Sequence, residues 1–261
     1  MPEASEVLYD TDGGVARITI NRPERRNAMS AAVMTGLRAA VGRARVDPEV
    51  RVVILSGAGD RAFCAGADLT GMAAGAGFLE LHDGRGELAA LFEDLWSLGK
   101  PTIARVRGYA LAGGFGLALA CDMVIAAEDA QFGTPEVDVG LWPYMITVPL
   151  VRSMPPKKAL ELMLTGRRVD ATEALAIGFV NRVVPVAQLD PAVDELAATL
   201  ASKSPAVTRL GRDSFYRVWD MEAAPALAHL HSMLSLTTLT EDSREGIAAF
   251  NEKRKAKWTG R

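Results

Sequence analysis

The segment KPTIARVRGYALAGGFGLALACD, from Lys100 to Asp122, contains the residues that decide the fold of this chain. Apolar and polar side chains alternate from Thr102 to Arg107, and this alternation predicts a β-strand. Phe115 to Ala120 is apolar on every face, which is typical of a buried helix. The segment therefore predicts a strand that leads, through Gly113 and Gly114, directly into a core helix.

The glycine pair has two interpretations. Amide N–H groups in the first turn of a helix lack partners inside the helix and lie at the positive end of its dipole. Because glycine has no side chain, a ligand can approach the backbone closely at Gly113 and Gly114. The pair predicts either a site that stabilises an oxyanion or a tight turn that packs a strand against a helix. This segment alone does not decide between them.

Composition excludes several classes of protein. The 261 residues carry a formal net charge of −3 with mixed signs, whereas a nucleic-acid-binding protein would present a basic face. No uncharged apolar run reaches the length that a bilayer requires, and the N-terminus lacks the layout of a secretory signal. Two cysteines, Cys64 and Cys121, make neither a disulfide framework nor a metal site. We expect a cytoplasmic location.

The wider pattern predicts strands with intervening helices in the first two thirds of the chain, and helices in the last third. A Gly- and Ala-rich stretch of poor periodicity, Gly71 to Gly86, is interpreted as a mobile loop of the kind that often covers a binding site. Near the end, Asp242 and Glu245 have the spacing of a capping box, which predicts a final helix that continues to Lys257. No linker divides the chain into independent domains.

Five separate motifs occur together in this chain: NRPERRNAM, AFCAGADL, the segment quoted above, AQFGTPEVDVGL and FNEKRKAKW. In this order and spacing they resemble the crotonase (enoyl-CoA hydratase/isomerase) superfamily, from about Val7 to Trp258. The resemblance implies an α/β spiral of ββα units with the active site in residues 1–190. It implies a C-terminal helical region in residues 191–261, part of the same structural unit, which assembles chains into trimers or dimers of trimers.

The resemblance also implies the ligand and the residues around it. The ligand would be an acyl-CoA thioester, with CoA as part of the substrate and no separate cofactor or metal. The oxyanion hole would be formed by the backbone amides of Ala67 and Gly113, with Glu136 as the acid/base. The remaining CoA-binding positions fall into one group along the CoA arm and one at its nucleotide end: Ala65, Asp68 and Leu69, then Arg25, Phe250 and Lys253.

The acid/base residues depart from the pattern of the family's hydratases, which place two glutamates around the substrate. Here the first of those positions is Gly116 and the second is Glu136. Two carboxylates share the work of hydration naturally, whereas one carboxylate suits a proton transfer from one carbon to another. The family's isomerases resemble this chain in that respect. Isomerisation is slightly favoured, and hydration with a single glutamate remains open.

Three further side chains could assist: Asp138, Tyr144 and His82. Tyr144 stands where the family's dienoyl-CoA isomerases carry an aspartate, which disfavours that activity. Trp142 and Tyr144 are candidates for the acyl pocket. His82 falls in the predicted loop. A different class of function, a non-catalytic acyl-CoA-binding protein, is the alternative hypothesis, and the presence of Glu136 counts against it.

Overall fold

The computed structural model describes residues 5–68 and 77–261 and contains two β-sheets. The larger has six strands in the order β1 (Val7–Asp12), β2 (Val15–Ile20), β3 (Val52–Gly57), β5 (Thr102–Val106), β7 (Met123–Ala127) and β10 (Arg182–Val184). The smaller has four strands in the order β4 (Ala62–Cys64), β6 (Tyr109–Leu111), β8 (Gln131–Gly133) and β9 (Arg168–Asp170). Only β1 in the larger sheet and β9 in the smaller pair antiparallel to their neighbours among the described strands.

The helices follow the strands and become continuous toward the C-terminus. They are α1 (Ala31–Val46), α2 (Phe78–Trp96), α3 (Gly113–Ala120), α4 (Thr147–Ser153), α5 (Pro156–Thr165), α6 (Ala171–Ile177), α7 (Leu189–Ala201), α8 (Pro205–Val218), α9 (Ala223–Thr238) and α10 (Glu241–Asn251). Short 3-10 helices occupy Pro23–Arg25, Pro135–Val139 and Val186–Gln188.

The order of elements repeats. A strand of the larger sheet is followed by a strand of the smaller sheet and then by a helix, first as β3, β4 and α2 and next as β5, β6 and α3. β7 and β8 begin a third turn of the same kind. Successive turns therefore stack strand on strand in both sheets. This arrangement confirms the predicted α/β spiral of ββα units.

Burial explains why the sequence folds this way. All six residues of β3 are buried, as expected for a parallel strand covered on both faces. α3 is buried at all eight positions, which confirms the core helix predicted from its uniformly apolar sequence. α1 begins where the Ser30 hydroxyl accepts a hydrogen bond from the Val33 amide at 3.1 Å. One face of α1 then enters the core through Val33, Leu37 and other apolar residues.

Two local predictions were wrong. The predicted loop from Gly71 to Gly86 contains the first half of α2, which begins at Phe78; residues 71–76 lie outside the described part of the chain. The capping box was also misassigned, because the Thr240 hydroxyl accepts the hydrogen bond from the Ser243 amide and so caps α10. α10 ends at Asn251 and does not continue to Lys257.

The last helices differ in what they cover. α7 packs on β3, β5 and β7 of the larger sheet, and Leu189 and Val193 are almost fully buried there. The division predicted after residue 190 falls in the first turn of α7. Because α7 covers the sheet, we propose that the separate helical region begins with α8. Among the described residues, none of the helices combines the length and apolar character needed to cross a membrane.

Candidate active site

Three loops meet at one edge of the smaller sheet. β4, β6 and β8 are adjacent and parallel, so their carboxyl ends lie side by side. Ala67 follows β4, Gly113 follows β6 and Glu136 follows β8. Neighbouring strands are about 4.8 Å apart. The fold thus brings together the three residues predicted as the oxyanion hole and the acid/base, although they are far apart in sequence.

The two predicted oxyanion donors are backbone N–H groups outside the regular pairing. Residue Met29 bridges to the loop after β4: its amide donates to the Gly66 carbonyl at 2.8 Å, and its carbonyl accepts from the Asp68 amide at 3.0 Å. This parallel bridge skips the amide of Ala67. Gly113 is the first residue of α3, so its amide has no partner within the helix. Among the described residues, neither amide donates a backbone hydrogen bond, so both could donate to a ligand oxygen.

Glycines are needed here because the two loops touch. Gly66 has a φ of +99°, and a Cβ added to it would lie 2.8 Å from the Cβ of Ala112. A Cβ on Gly114 would lie 2.8 Å from the Cβ of Cys64. Ala112 itself has a φ of +51°, which is strained for a residue with a side chain. Close approach of the backbones therefore fixes the relative positions of the donors.

Helix α2 contributes apolar side chains that the sequence analysis missed. A Cβ on Gly113 would lie 3.3 Å from Leu88 Cδ2 on α2 and 2.7 Å from Met29 Cε. Leu88 and Met29 therefore stand next to the Gly113 donor and limit the access of water to it. The weak periodicity at the start of α2 concealed this helix. The apolar spacing of Leu88, Leu91, Phe92 and Leu95 was the signal that could have revealed it.

Glu136 combines burial with an unsatisfied carboxylate oxygen. It lies in the 3-10 helix Pro135–Val139 and is half-buried, while its Oε2 atom is buried and has no hydrogen-bond partner among the described residues. Desolvation raises the pKa of Glu136 above its ordinary value, partly opposed by its own backbone N–H. The buried Thr134 hydroxyl, two residues earlier, likewise lacks a described partner. A buried polar atom without a protein partner is usually explained by an ordered water, an ion or a catalytic role.

The space beside Gly116 is closed by apolar side chains. A Cβ on Gly116 would lie 2.8 Å from Ile146 Cβ and 3.1 Å from Phe92 Cζ, and it would overlap Ile146 Cγ2 more closely still. Ile146 and Phe92 are both 2% exposed. A side chain at residue 116 is therefore excluded unless Ile146 moves. Apolar atoms fill the region next to α3 where a second carboxylate would begin.

Asp68 is tied to the N-terminal part of the chain. Arg22 donates to Asp68 Oδ2 at 2.9 Å and to the Ala28 carbonyl at 2.8 Å, and it also pairs with Glu6 at 2.9 Å. The Arg22 and Asp68 side chains are only 13% and 15% exposed. This ion pair holds the loop that carries Ala67. The predicted contact of Asp68 with the CoA arm stays a prediction.

The other predicted CoA-binding residues are distributed over two regions. Ala65 donates its amide to the Arg26 carbonyl at 3.1 Å, which places it beside the exposed 3-10 helix that ends at Arg25. Leu69 lies outside the described residues. Phe250 lies on α10 with 83% of its surface exposed, and Lys253 follows α10 with a φ of +54°. α10 packs on α8 and α9, and the predicted contacts of Phe250 and Lys253 with CoA stay a prediction.

The three side chains that could assist Glu136 in catalysis, Asp138, Tyr144 and His82, lie at the surface. Asp138 is exposed, and its carboxylate faces Gly166 at the end of α5. Tyr144 is 73% exposed. His82 is exposed and belongs to α2, so its predicted place in a loop was wrong. Trp142 is partly buried against the core, consistent with a position that lines an apolar pocket.

Comparison with known proteins identifies the family of the chain. The Enoyl-CoA hydratase/isomerase family matches residues 10–261. The probable enoyl-CoA hydratase echA8 of Mycobacterium leprae is 36% identical, with 98% of each chain covered. The carnitinyl-CoA dehydratase of Proteus mirabilis is 38% identical, over 96% of this chain and 97% of that protein.

Solved structures show the same similarity in three dimensions. An enoyl-CoA hydratase from Mycobacterium smegmatis superimposes with a TM-score of 0.94 at 34% identity, covering 97% of this chain and 98% of that one. An enoyl-CoA hydratase from Bacillus anthracis gives a TM-score of 0.93 at 34% identity, covering 98% of this chain and all of the other. The chain therefore belongs to the enoyl-CoA hydratase/isomerase family of the crotonase superfamily.

Proposed function

We propose that this protein converts an enoyl-CoA thioester through an enolate held between the amides of Ala67 and Gly113, with Glu136 as the only acid/base. The observation that carries the proposal is the buried Oε2 of Glu136, which has no hydrogen-bond partner among the described residues and belongs to the loop after β8, in the same sheet as the strands that lead to the two donors. A proton next to a thioester carbonyl becomes removable when the developing oxyanion is stabilised. One such donor is worth roughly 3 kcal/mol of transition-state stabilisation.

The preferred reaction is migration of the double bond. The Glu136 carboxylate removes a proton from C2 of a 3-enoyl-CoA, and the electrons of that bond form a dienolate whose oxygen accepts from both amides. The protonated Glu136 then returns the proton to C4, which gives the 2-enoyl-CoA. Atoms and charge balance without a second acid. The raised pKa of Glu136 suits both halves of the cycle, since the group must accept and then release the proton.

Gly116 favours isomerisation over hydration. Hydration needs a water that attacks C3 and a proton delivered to C2, and two carboxylates normally share these tasks in the family's hydratases. Here Ile146 and Phe92 fill the space beside residue 116 with apolar atoms. This leaves no polar group of α3 to activate the water.

Hydration or dehydration is the second candidate. It is favoured by the names of the relatives, which include probable enoyl-CoA hydratase and carnitinyl-CoA dehydratase. In that case Glu136 would activate the water itself, and the proton for C2 would come from the same carboxyl or from a water.

The test is a paired assay with 2-enoyl-CoA and 3-enoyl-CoA of equal chain length. Glu136→Gln keeps the size of the side chain and removes the base, so turnover should fall by about 10²–10⁴-fold while CoA-thioester binding is retained. Glu128→Gln is the matched control, because Glu128 is exposed and lies outside the three loops. It should turn over like the unaltered protein.

Each outcome assigns the function. Turnover of only the 3-enoyl substrate, lost in Glu136→Gln, supports the isomerase. Hydration of the 2-enoyl substrate, lost in the same variant, supports the second candidate. Unchanged turnover in Glu136→Gln contradicts the assignment of Glu136. Tight binding with no turnover of either substrate would support a non-catalytic acyl-CoA-binding protein.

A further inference from the structure

A cavity lies at the end of the larger sheet where β3 begins, whereas the loops of the proposed active site lie beyond the other end of β3. The cavity has a volume of about 360 Å³ and lies between the C-terminal end of α1, the loop before β5, the start of α8 and the C-terminal tail. Five cationic residues line it, and we call them the basic cleft: Arg45, Arg51, Lys100, Lys203 and Arg209. Asp47 is the only acid among the described lining residues. This local excess of positive charge occurs in a chain whose net charge is −3.

Among the described residues, three of the five cations of the basic cleft have no close acidic partner, whereas Arg45 pairs with Asp94 at 3.5 Å and donates to the Asp94 carbonyl at 2.9 Å. Within the described part of the chain, Arg51 and Lys203 form no ion pair, and Arg209 approaches Asp213 only at 3.8 Å. Lys100 is half-buried and donates to the carbonyls of Ala44 and Asp47 at 2.5 Å each. Burial lowers the pKa of Lys100, the charge of Asp47 opposes this effect, and the charges of Arg51 and Arg209 add to it. An incoming anion would relieve this mutual repulsion.

The walls of the cleft are held in place. Buried Asp242 accepts hydrogen bonds from the amides of Thr259 and Gly260 at 2.7 and 3.1 Å, which anchors the tail against the start of α8. Asp242 also accepts from the Ser204 hydroxyl at 2.6 Å. Gly99, with a φ of +75°, leaves room for the Arg209 side chain to lie over the backbone. The cations are therefore presented by ordered elements.

The cleft is separate from the proposed active site. Arg51 stands just before β3, whereas the other end of β3 leads to the loop of Ala67. β3 has six residues, and a strand of that length spans about 20 Å. None of the residues that line the cleft belongs to the three loops around Glu136.

We propose that the basic cleft binds a phosphate-bearing anion with at least two negative charges, of the class of pyrophosphate or a nucleoside diphosphate. Arginine forks and lysine ammonium groups are the side chains that bind phosphate oxygens in proteins. The volume of the cleft is within the range of small-molecule sites. Inorganic and nucleotide sources share this chemistry, and the experiment distinguishes them.

The test is calorimetric titration of the purified full chain with pyrophosphate and, separately, with ADP, at about 150 mM salt to screen non-specific attraction. The informative variant is Lys203→Ala/Arg209→Ala, which removes two exposed cations of the cleft. The control is Lys157→Ala/Arg217→Ala, which removes two exposed cations elsewhere. We expect saturable binding, weakened roughly tenfold or more by the cleft variant and unchanged by the control.

Comparing the two probes identifies the source: tighter binding of ADP assigns a nucleotide, and equal binding assigns the phosphate groups alone. The absence of saturable binding at millimolar concentration overturns the proposal, as does equal weakening in both double variants. Displacement of pyrophosphate by an acyl-CoA would place the anion in the thioester site and would also overturn it. Enoyl-CoA turnover should be the same in both double variants, so the proposal is tested independently of the function of Glu136.

Discussion

At the scale of single residues, the protein keeps an ionisable group in a partly apolar position. Glu136 is half-buried, and the cost of desolvating its charged form raises its pKa. A carboxylate with this property is a better base than one in water, and it is also a source of instability when ionised. Burial of Glu136 therefore makes it a stronger base but lowers the stability of the fold when the carboxylate is ionised.

This conflict predicts a pH-dependent gain in stability for Glu136→Gln. A raised pKa in the folded state favours the protonated carboxyl, so the contribution of Glu136 to stability is greatest below its unfolded pKa and is lost as pH rises through the folded pKa. Glutamine does not titrate. The variant should therefore be more stable than the unaltered protein near pH 8, and the difference should shrink near pH 4. Urea unfolding at both pH values measures this, and a constant difference would contradict it.

At the scale of elements, the active site depends on two loops that pack backbone against backbone. Gly66 and Gly114 allow this contact, because a side chain at either residue would overlap the neighbouring loop. This packing sets the distance between the amides of Ala67 and Gly113. Loop geometry, more than the identity of any side chain, would set the geometry of the proposed oxyanion hole.

Gly66→Ala should therefore damage catalysis. The new Cβ would meet Ala112 Cβ at 2.8 Å in a backbone with φ of +99°, so the loops must separate and at least one donor is misplaced. Loss of an oxyanion donor typically costs 10²–10³-fold in kcat. We expect a decrease of at least about tenfold in kcat, measured together with the melting temperature.

The control for this variant is Gly42→Ala. Gly42 lies inside α1, and an added Cβ would have no atom within 4 Å. Because alanine is the better helix former, this variant should keep its kcat and gain about 0.5–1 kcal/mol in stability. Equal kcat values for the two variants would show that the loop contact does not position the donors.

At the scale of the whole molecule, a largely buried ion pair between Arg212 and Asp122 joins the spiral to the helical region. Arg212 on α8 donates to Asp122 at 2.8 Å and to the carbonyls of Trp96 and Leu95 at 2.9 and 2.7 Å. Its side chain is 7% exposed. Tyr216 donates to the other Asp122 oxygen at 2.5 Å. These contacts fix where α8 leaves the core.

Arg212→Met should weaken this junction. The substitution keeps much of the apolar length but leaves Asp122 without its cation. Breaking a fully buried pair costs about 3–5 kcal/mol, and because Asp122 keeps its hydrogen bonds from Tyr216 and the Thr102 amide, the loss should be near or below the lower end of that range. Urea unfolding measures the loss. Arg209→Met, one turn earlier on α8, is the comparison, because Arg209 is largely exposed and should change stability by less than about 1 kcal/mol. Similar losses in both variants would contradict the role of the junction.

The helices beyond this junction carry exposed apolar side chains. α9 has no buried residue, and Leu227 and Leu234 are 67% and 66% exposed on the same face. A patch of this kind typically marks a contact between proteins. We predict that it is covered by further copies of this chain in a trimer or a dimer of trimers.

Substituting the patch tests the assembly. Leu227→Glu/Leu234→Glu places charges in the predicted contact and should yield a smaller species in light scattering coupled to size-exclusion chromatography. Ser232→Glu, exposed on another face of α9, is the control and should keep the original mass. A single-chain mass for the unaltered protein would contradict the predicted assembly.

The sequence by itself was sufficient for the segments whose pattern is local. It predicted the strand and the buried helix on either side of Gly113, because periodicity depends on neighbours in sequence. The same reasoning failed at Phe78 and Asp242. The Gly-rich start of α2 has little intrinsic preference, and Asp242 is occupied with the tail residues Thr259 and Gly260.

Only the tertiary structure decided which apolar side chains surround the proposed active site and where the cations of the basic cleft gather. Ile146 fills the space beside Gly116, and Leu88 covers Gly113, because separate turns of the spiral pack at one edge of the smaller sheet. The basic cleft likewise gathers residues from α1, α8 and the loop before β5. Side chains distant in sequence meet only when non-local packing brings their elements together, and no local pattern in the sequence encodes such a contact.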